Sequence, residues 1–178
     1  MHRHWRLDSS VPVYNAAYTA QPPGAPPHPH QPFPAALQAA GPVVPVQIEV
    51  PAALAAQLQQ AGTPIPTPVT GLALIDTGAS ISAVDAGVIQ QLGVHQVGVA
   101  QIGGVGGVNP HSLFPCRFVF PGVGFPSIDF TSIVGAPLVG IGGVQPQGQQ
   151  TIALFGRDLL QLFILVYNGP GATVSLAM

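Results

Sequence analysis

Leu72-Ala73-Leu74-Ile75 runs without a break into Asp76-Thr77-Gly78-Ala79-Ser80. Four apolar residues followed by a carboxylate, a hydroxyl and a glycine describe a buried strand that delivers an acid to a tight turn at the mouth of a cleft. An unpaired carboxylate so placed costs several kcal/mol or has its pKa raised. Only 6% of the 178 residues are charged, so the chain has few groups with which to compensate it. What compensates Asp76 is therefore the first question.

The same scarcity of charge excludes several function classes. There are four Arg, no Lys and six Asp or Glu, for a net charge of -2, which gives no electrostatic grip on nucleic acid and no polybasic membrane anchor. The apolar runs are short. The longest, Ile152 to Tyr167, is broken by Gly156, Arg157, Asp158 and Gln161, so none reaches the ~20 residues of a membrane span. The start, Met1-His2-Arg3-His4-Trp5-Arg6-Leu7-Asp8, has basic residues with no apolar core behind them and does not form a secretory signal. Cytoplasmic location is the expectation, and the single cysteine, Cys116, agrees with it. A surface with so little charge favours self-association, so a homodimer is expected.

Residues 1–42 are rich in Pro, Ala, Gln and His and show neither helical nor strand periodicity, which describes a disordered or polyproline arm. His2, His4, His28 and His30 lack the further ligands that a metal needs. Order is expected from residue 43 to residue 178. Val44, Val46, Ile48 and Val50 alternate with polar residues or proline as in a half-buried strand. Pro51 opens a helix over Ala52–Gln60 that Gly62 ends, and the connector Thr63–Pro68 leads to a strand over Val69–Ile75. Ile81–Val84 is extended, and Asp85 caps a helix that stops at Gly93.

Val97–Asn109 is a hairpin with a glycine-dense tip, Gly103-Gly104-Val105-Gly106-Gly107, which has no lysine after it and no phosphate-loop spacing. Cys116–Phe120 and Ser127–Val134 are further strands, and Cys116 is a small hydrophobe there. His95 and His111 are surface residues. Gly135–Gln150 is a loop whose Ile141-Gly142-Gly143-Val144 echoes Ile102-Gly103-Gly104-Val105. Thr151–Phe155 is a strand, Gly156-Arg157-Asp158 a turn, and Leu159–Phe163 a short amphipathic helix. Ile164–Tyr167 and Ala172–Ala177 form a terminal hairpin across Asn168-Gly169.

An Asp in such a turn can bind a metal, cap a helix or act as an acid or base. Metal binding is disfavoured because no second acid or His clusters near Asp76 in the sequence, and no cofactor is implied. Capping explains Thr77 and Gly78 only in part. Hydrolysis by a carboxylate pair explains more: two Asp side chains about 3 Å apart share one proton, leaving one as base and the other as acid. The chain has one Asp-Thr-Gly, so the second acid can come from Asp76 of another copy across a two-fold axis.

Taken together and in this order, Ala73-Leu74-Ile75-Asp76-Thr77-Gly78-Ala79-Ser80, the tip Ile102-Gly103-Gly104-Val105-Gly106-Gly107 and Phe155-Gly156-Arg157-Asp158-Leu159-Leu160 resemble the retroviral-type aspartic proteases, the retropepsin-like family. The resemblance spans about residues 43–178. It implies a mainly β fold, a closed barrel forming one half of an acid protease, with two or three short helices and activity as a symmetric dimer. It implies that Asp76 is the catalytic acid, that Thr77 braces the two loops across the dimer, and that Gly78 lends backbone groups. Ala79, Ser80 and Gly103 to Gly107 would contact an extended peptide or protein substrate, the glycine tip acting as a flap. Gly156, Arg157 and Asp158 would support the Asp76 loop, and the C-terminal strand would join an intersubunit sheet.

The expected activity is that of an aspartic endopeptidase cutting between apolar residues, with self-processing of the N-terminal arm. The alternative is an inactive module of the same fold that dimerises or binds peptides. One position departs from the family pattern: an acidic residue commonly follows Asp-Thr-Gly-Ala, where it pairs with the Arg of the Gly-Arg turn, and this chain has Ser80. Arg157 must then turn to Asp158, Asp129 or backbone carbonyls.

Overall fold

The computed structural model describes residues 11–19, 32–104, 107–138 and 149–178. In chain order its elements are β1 (Val13–Ala17), α1 (Pro34–Ala40), β2 (Val43–Glu49), α2 (Ala52–Gln60), β3 (Val69–Ile75), β4 (Ala83–Asp85), α3 (Ala86–Leu92), β5 (Gly98–Gly104), β6 (Gly107–Val119), β7 (Ile128–Ala136), β8 (Thr151–Phe155), α4 (Arg157–Leu160), β9 (Ile164–Asn168) and β10 (Thr173–Ala177). The fold is mainly β, as expected. No helix among the described residues is long and apolar enough to cross a membrane.

Six strands follow the order β2-β3-β8-β4-β7-β6, and β6 returns to β2 through Gln47↔Val119, Ile48↔Phe118 and Glu49↔Arg117. This closure makes the expected barrel and leaves those strands without free edges. β5 hangs outside it on β6. The alternation in β2 has its predicted consequence, since Val44, Val46 and Ile48 are fully buried. β3 instead buries Gly71, Leu72 and Ala73 in succession, as a strand flanked on both sides and covered on both faces does.

The core is aromatic at its centre. Phe118 and Phe155 are both completely buried and meet edge to face at 5.5 Å. Phe130 and Phe120 extend the cluster with further T-shaped contacts, each worth about 0.5–1.5 kcal/mol beyond the area that it buries.

Cys116–Phe120 and the return arm of the hairpin, expected as separate strands, are one continuous strand, β6. The register slips between Phe114 and Cys116, at Pro115; proline has no N–H to give a ladder, so a slip is where a long strand accommodates it. α2 and α3 lie where expected. Asp85 Oδ1 accepts from Gly87 N at 2.8 Å to cap α3, and Gly93 ends it in the left-handed region at φ 62°. Gly135 and Ala136, expected in a loop, belong to β7. The echo at Ile141–Val144 and the four N-terminal histidines lie outside the described residues.

One expectation fails. The stretch 1–42, expected to be without regular structure, contains β1 and α1. β1 pairs along all of β10, from Val13↔Ala177 to Ala17↔Thr173. Tyr18 then donates its hydroxyl to Gly41 O at 2.8 Å and accepts from Val43 N at 3.0 Å, while Leu37 and Ala40 of α1 are buried. These contacts are all long-range, so no local periodicity could announce them, and α1 makes four short helices where two or three were expected. The C-terminal strand, expected in an intersubunit sheet, is paired here within its own chain. β10 is the middle strand of a three-stranded sheet, β1-β10-β9, and both its edges are used within the chain. The hairpin between β9 and β10 does form, its turn fastened by Gly171 N donating to Asn168 Oδ1 at 2.9 Å.

Candidate active site

β3 and β8 run parallel, with Ile75 opposite Phe155. Parallel neighbours leave a sheet at the same end, so the turn after Ile75 and the turn after Phe155 emerge side by side. Asp76 N donates to Phe155 O at 3.0 Å and sets the junction. The two glycine turns quoted from opposite halves of the sequence are thus one structure.

Within the first turn Asp76 folds back on its own chain. Its Oδ1 accepts from the amides of Gly78 at 2.8 Å and Ala79 at 3.2 Å, while Oδ2 carries no hydrogen bond among the described residues. A Cβ on Gly78 would lie 3.0 Å from Oδ1, so a side chain there would crowd the carboxylate and push it by a few tenths of an ångström. Asp76 and Ala79 are half-buried, and Thr77, Gly78 and Ser80 are exposed. The acid is fixed at one oxygen and open at the other.

The second turn laces onto the first. Arg157 Nη1 donates to Thr77 O at 2.8 Å and Gly78 O at 2.9 Å; Arg157 N reaches Ala79 O at 3.0 Å and Asp158 N reaches Ser80 O at 3.3 Å. With Ser80 in place of a carboxylate, Arg157 takes backbone carbonyls, while Asp129 pairs with Arg117 at 3.6 Å. Gly156 has no room for a side chain, because a Cβ there would stand 2.5 Å from Ile81 C.

Sequence reasoning missed Ser82. It is fully buried, donates its hydroxyl to Asp158 Oδ1 at 2.6 Å and accepts from Gly156 N at 2.9 Å. Its own amide donates to both Asp158 oxygens, at 2.9 and 3.0 Å. The only local signal was a serine inside the apolar run Ile81–Val84, and its partner lies 76 residues away.

No protein-family model matches the chain, and no curated protein matches it. Among solved structures it is similar to the EIAV protease in complex with an inhibitor, at 24% identity and a TM-score of 0.39, covering 67% of this chain and 85% of that one. It is also similar to a retropepsin-like aspartic protease from Rickettsia conorii, at 21% identity and a TM-score of 0.37, covering 61% of this chain and 74% of that one.

The remaining acids bear on what Asp76 can do. Glu49 accepts from the Gln47 side chain. Asp85 accepts from Gly87 N and, through Oδ2, from Leu138 N at 2.9 Å. Asp129 holds Arg117 and the Ala52 amide, and Asp158 is engaged by Ser82. Asp8 lies outside the described residues. Every other described carboxylate thus has a separate structural task, and no group of three or more His, Cys, Asp or Glu that could hold a metal ion occurs among the described residues.

The hairpin brings Gly103 opposite Val108 and Gly104 opposite Gly107, and Gly107 adopts φ 99°, which favours glycine. Val105 and Gly106 fall outside the described residues. No hydrogen bond among the described residues joins this hairpin to the Asp76 turn. Cys116 is buried and its thiol is pushed up to about 12, by burial first and by Asp129 second, so it is not a nucleophile at neutral pH.

Proposed function

We propose that the chain is an aspartic endopeptidase acting as a homodimer, in which Asp76 of each copy supplies one carboxylate of a shared pair. The observation that carries this reading is that Asp76 is the described acid presented with a free oxygen, on a turn braced from below by Arg157. One carboxylate acts alone as a weak acid or base. Two within about 3 Å hold one proton between them and offer both functions at once.

The ionised carboxylate takes a proton from water, whose oxygen attacks the peptide carbonyl carbon while the protonated carboxyl donates to the carbonyl oxygen. In the tetrahedral intermediate the carboxyl that took the water proton passes it to the amide nitrogen, the other carboxylate takes a proton from a hydroxyl of the diol as the carbonyl re-forms and the C–N bond breaks, and the pair again holds one proton. Thr77 braces the two turns across the axis. Gly78, Ala79 and Ser80 offer backbone groups to an extended peptide added as a strand. Gly103 to Gly107 close over it and exclude water. The substrate class is an extended peptide or protein segment with apolar residues flanking the cut.

Self-processing is part of the proposal, within residues 1–42 but outside β1, whose backbone is already paired with β10, and α1, whose backbone is helical.

The decisive experiment digests a diverse peptide library with wild type and Asp76→Asn. Wild type is expected to cut and the variant to lose at least about 1,000-fold in rate while keeping its fold. A statine-type peptide, which mimics the tetrahedral intermediate, is expected to bind wild type far more tightly than plain peptide does. Equal cutting by both proteins would overturn the assignment. Intact-mass measurement after incubation should show shortening of wild type alone.

A further inference from the structure

The turn that carries Asp76 has two roots. On the β8 side Asp76 N donates to Phe155 O at 3.0 Å, and on the β2 side Ile75 N donates to Pro42 O at 2.8 Å. The β8 root is supported by Ser82, Arg157 and Asp158. The β2 root is supported by a side chain from the other sheet.

Pro42 stands between Gly41 and Val43, and Tyr18, directly after β1, brackets it. The Tyr18 hydroxyl donates to Gly41 O at 2.8 Å and accepts from Val43 N at 3.0 Å, so one oxygen takes the carbonyl before the proline and the amide after it. Proline has a fixed φ and no N–H. With both neighbouring peptide groups held, the direction of its carbonyl is set, and that carbonyl is the one that receives Ile75 N. Gly41 brings this segment close to β3: a Cβ on it would stand 2.7 Å from Leu74 Cδ1.

Tyr18 is itself fixed at every polar group. Its amide donates to Ala172 O and its carbonyl accepts from Phe33 N, both at 2.9 Å, and the residue is only 6% exposed. Ala172 is fully buried and, among the described residues, is the non-glycine residue with a positive φ, 49°, a conformation that persists only where the surroundings enforce it. Burial raises the Tyr18 hydroxyl above its ordinary 10.0, with the Val43 hydrogen bond opposing this and Tyr167 adding to it, so the group stays a donor through neutral pH. A phenylalanine would fill the same space. What the hydroxyl adds is directed entirely at the two peptide groups around Pro42.

We infer that Tyr18 is a positioning residue for Asp76, reaching from the end of β1 to fix the Pro42 carbonyl that anchors Ile75, the residue before the acid. The N-terminal strand is then part of the support of the site, and through its pairing with β10 it ties the Asp76 turn to the β1-β10-β9 sheet. The inference rests on the proposed role of Asp76 for its catalytic consequence and on the hydrogen-bonded path through Gly41, Val43 and Pro42 for its geometry.

The test compares full-length wild type, Tyr18→Phe and Leu92→Val by amide hydrogen exchange and by peptide hydrolysis. Tyr18→Phe keeps the ring and removes only the hydroxyl. Leu92→Val trims a buried side chain of α3 that takes no part in this path, and so controls for lost stability. In Tyr18→Phe the Ile75 amide is expected to exchange at least about 10-fold faster than in wild type, with the amides of β6 and β7 changed no more than in Leu92→Val. Its kcat is expected to fall about 10-fold or more with KM within about two-fold of wild type, because the acid is misplaced while the surface offered to the peptide remains; Leu92→Val should keep the wild-type kcat. Unchanged exchange at Ile75 would overturn the inference. Faster exchange there with an undiminished kcat would overturn the positioning role and leave the protease reading intact. If wild type cuts nothing, the protease reading falls, and faster exchange at Ile75 in Tyr18→Phe would still support Tyr18 as the brace of the Asp76 turn.

Discussion

Ser82 and Asp158 are joined three times: the serine hydroxyl donates to Oδ1 at 2.6 Å, and the serine amide donates to both carboxylate oxygens, at 2.9 and 3.0 Å. Ser82 lies just ahead of β4 on the segment that leaves the Asp76 turn, and Asp158 on the turn that supports it, so this pair, buried at its serine end, holds the two turns in register. The hydroxyl also accepts from Gly156 N, which makes it the acceptor of a buried amide as well as the donor to an acid.

Ser82→Ala is therefore expected to do more than remove one hydrogen bond. It strands the Gly156 amide without an acceptor, at a cost of about 1–3 kcal/mol. Urea unfolding should show a lower midpoint with an unchanged slope, and peptide hydrolysis should fall because the Arg157 turn loses its anchor. A midpoint equal to that of wild type would mean that the hydroxyl carries no weight.

Gly156→Ala should be harsher, although it adds only a methyl group. The added carbon would stand 2.5 Å from Ile81 C and 2.7 Å from Ile81 O, which are backbone atoms that cannot swing away. Overpacking of this kind costs about 1–3 kcal/mol and more where nothing yields, and here relief would part the two turns. We expect a soluble, destabilised protein without hydrolytic activity, while Gly62→Ala, at a position with no atom near the added carbon, should unfold close to wild type apart from the strain of its positive φ.

Arg157→Lys tests whether charge or shape matters at the support. Arg157 Nη1 bridges two carbonyls, Thr77 O and Gly78 O, whereas an ammonium on a flexible stem is a point charge without the planar fork. The expected loss is about 1–2 kcal/mol or less in stability, the site being exposed. If Asp76 acts as proposed, the reduction in kcat should be larger than that change alone would give, since the carbonyls held are those of the Asp76 turn. Unchanged kcat in this variant would reduce Arg157 to a surface residue.

What could be read in advance, and what could not, divides by the range of the contacts. The Asp76 turn, the Gly156-Arg157-Asp158 turn, the Asp85 cap and the hairpin all announce themselves within a few residues, because their signals are an apolar run, a glycine and a polar side chain acting on its own backbone. β1 gives no such signal: its strand character depends on β10, nearly the whole chain away, and Tyr18 is fixed by Gly41 and Val43. Ser82 is silent for the same reason. The partner of Arg157 stayed open among three possibilities because the choice between carbonyls and carboxylates depends on how the parallel β3–β8 pair sets the two turns, which no spacing encodes.

The buried thiol gives a prediction in which pH is the variable. Burial, with Asp129 adding to it, pushes Cys116 from 9.0 up to about 12, and burial with Tyr18 adding to it pushes Tyr14 from 10.0 up to about 12. The folded chain thus keeps protons that the unfolded chain releases above pH 9.0 and 10.0. Where the unfolded state binds fewer protons, stability falls as pH rises. These two groups therefore leave stability whole below pH 9.0 and draw it down as pH climbs toward about 12. Urea midpoints should be insensitive to both groups at neutral pH and drop progressively over that alkaline window. At about pH 8, where an ordinary thiol is partly ionised, a thiol reagent should label the native protein only at the rate at which the barrel opens, and should label it at once in denaturant. Rapid labelling of the native protein would place Cys116 at the surface and remove Phe118 and its neighbours from the core assigned to them.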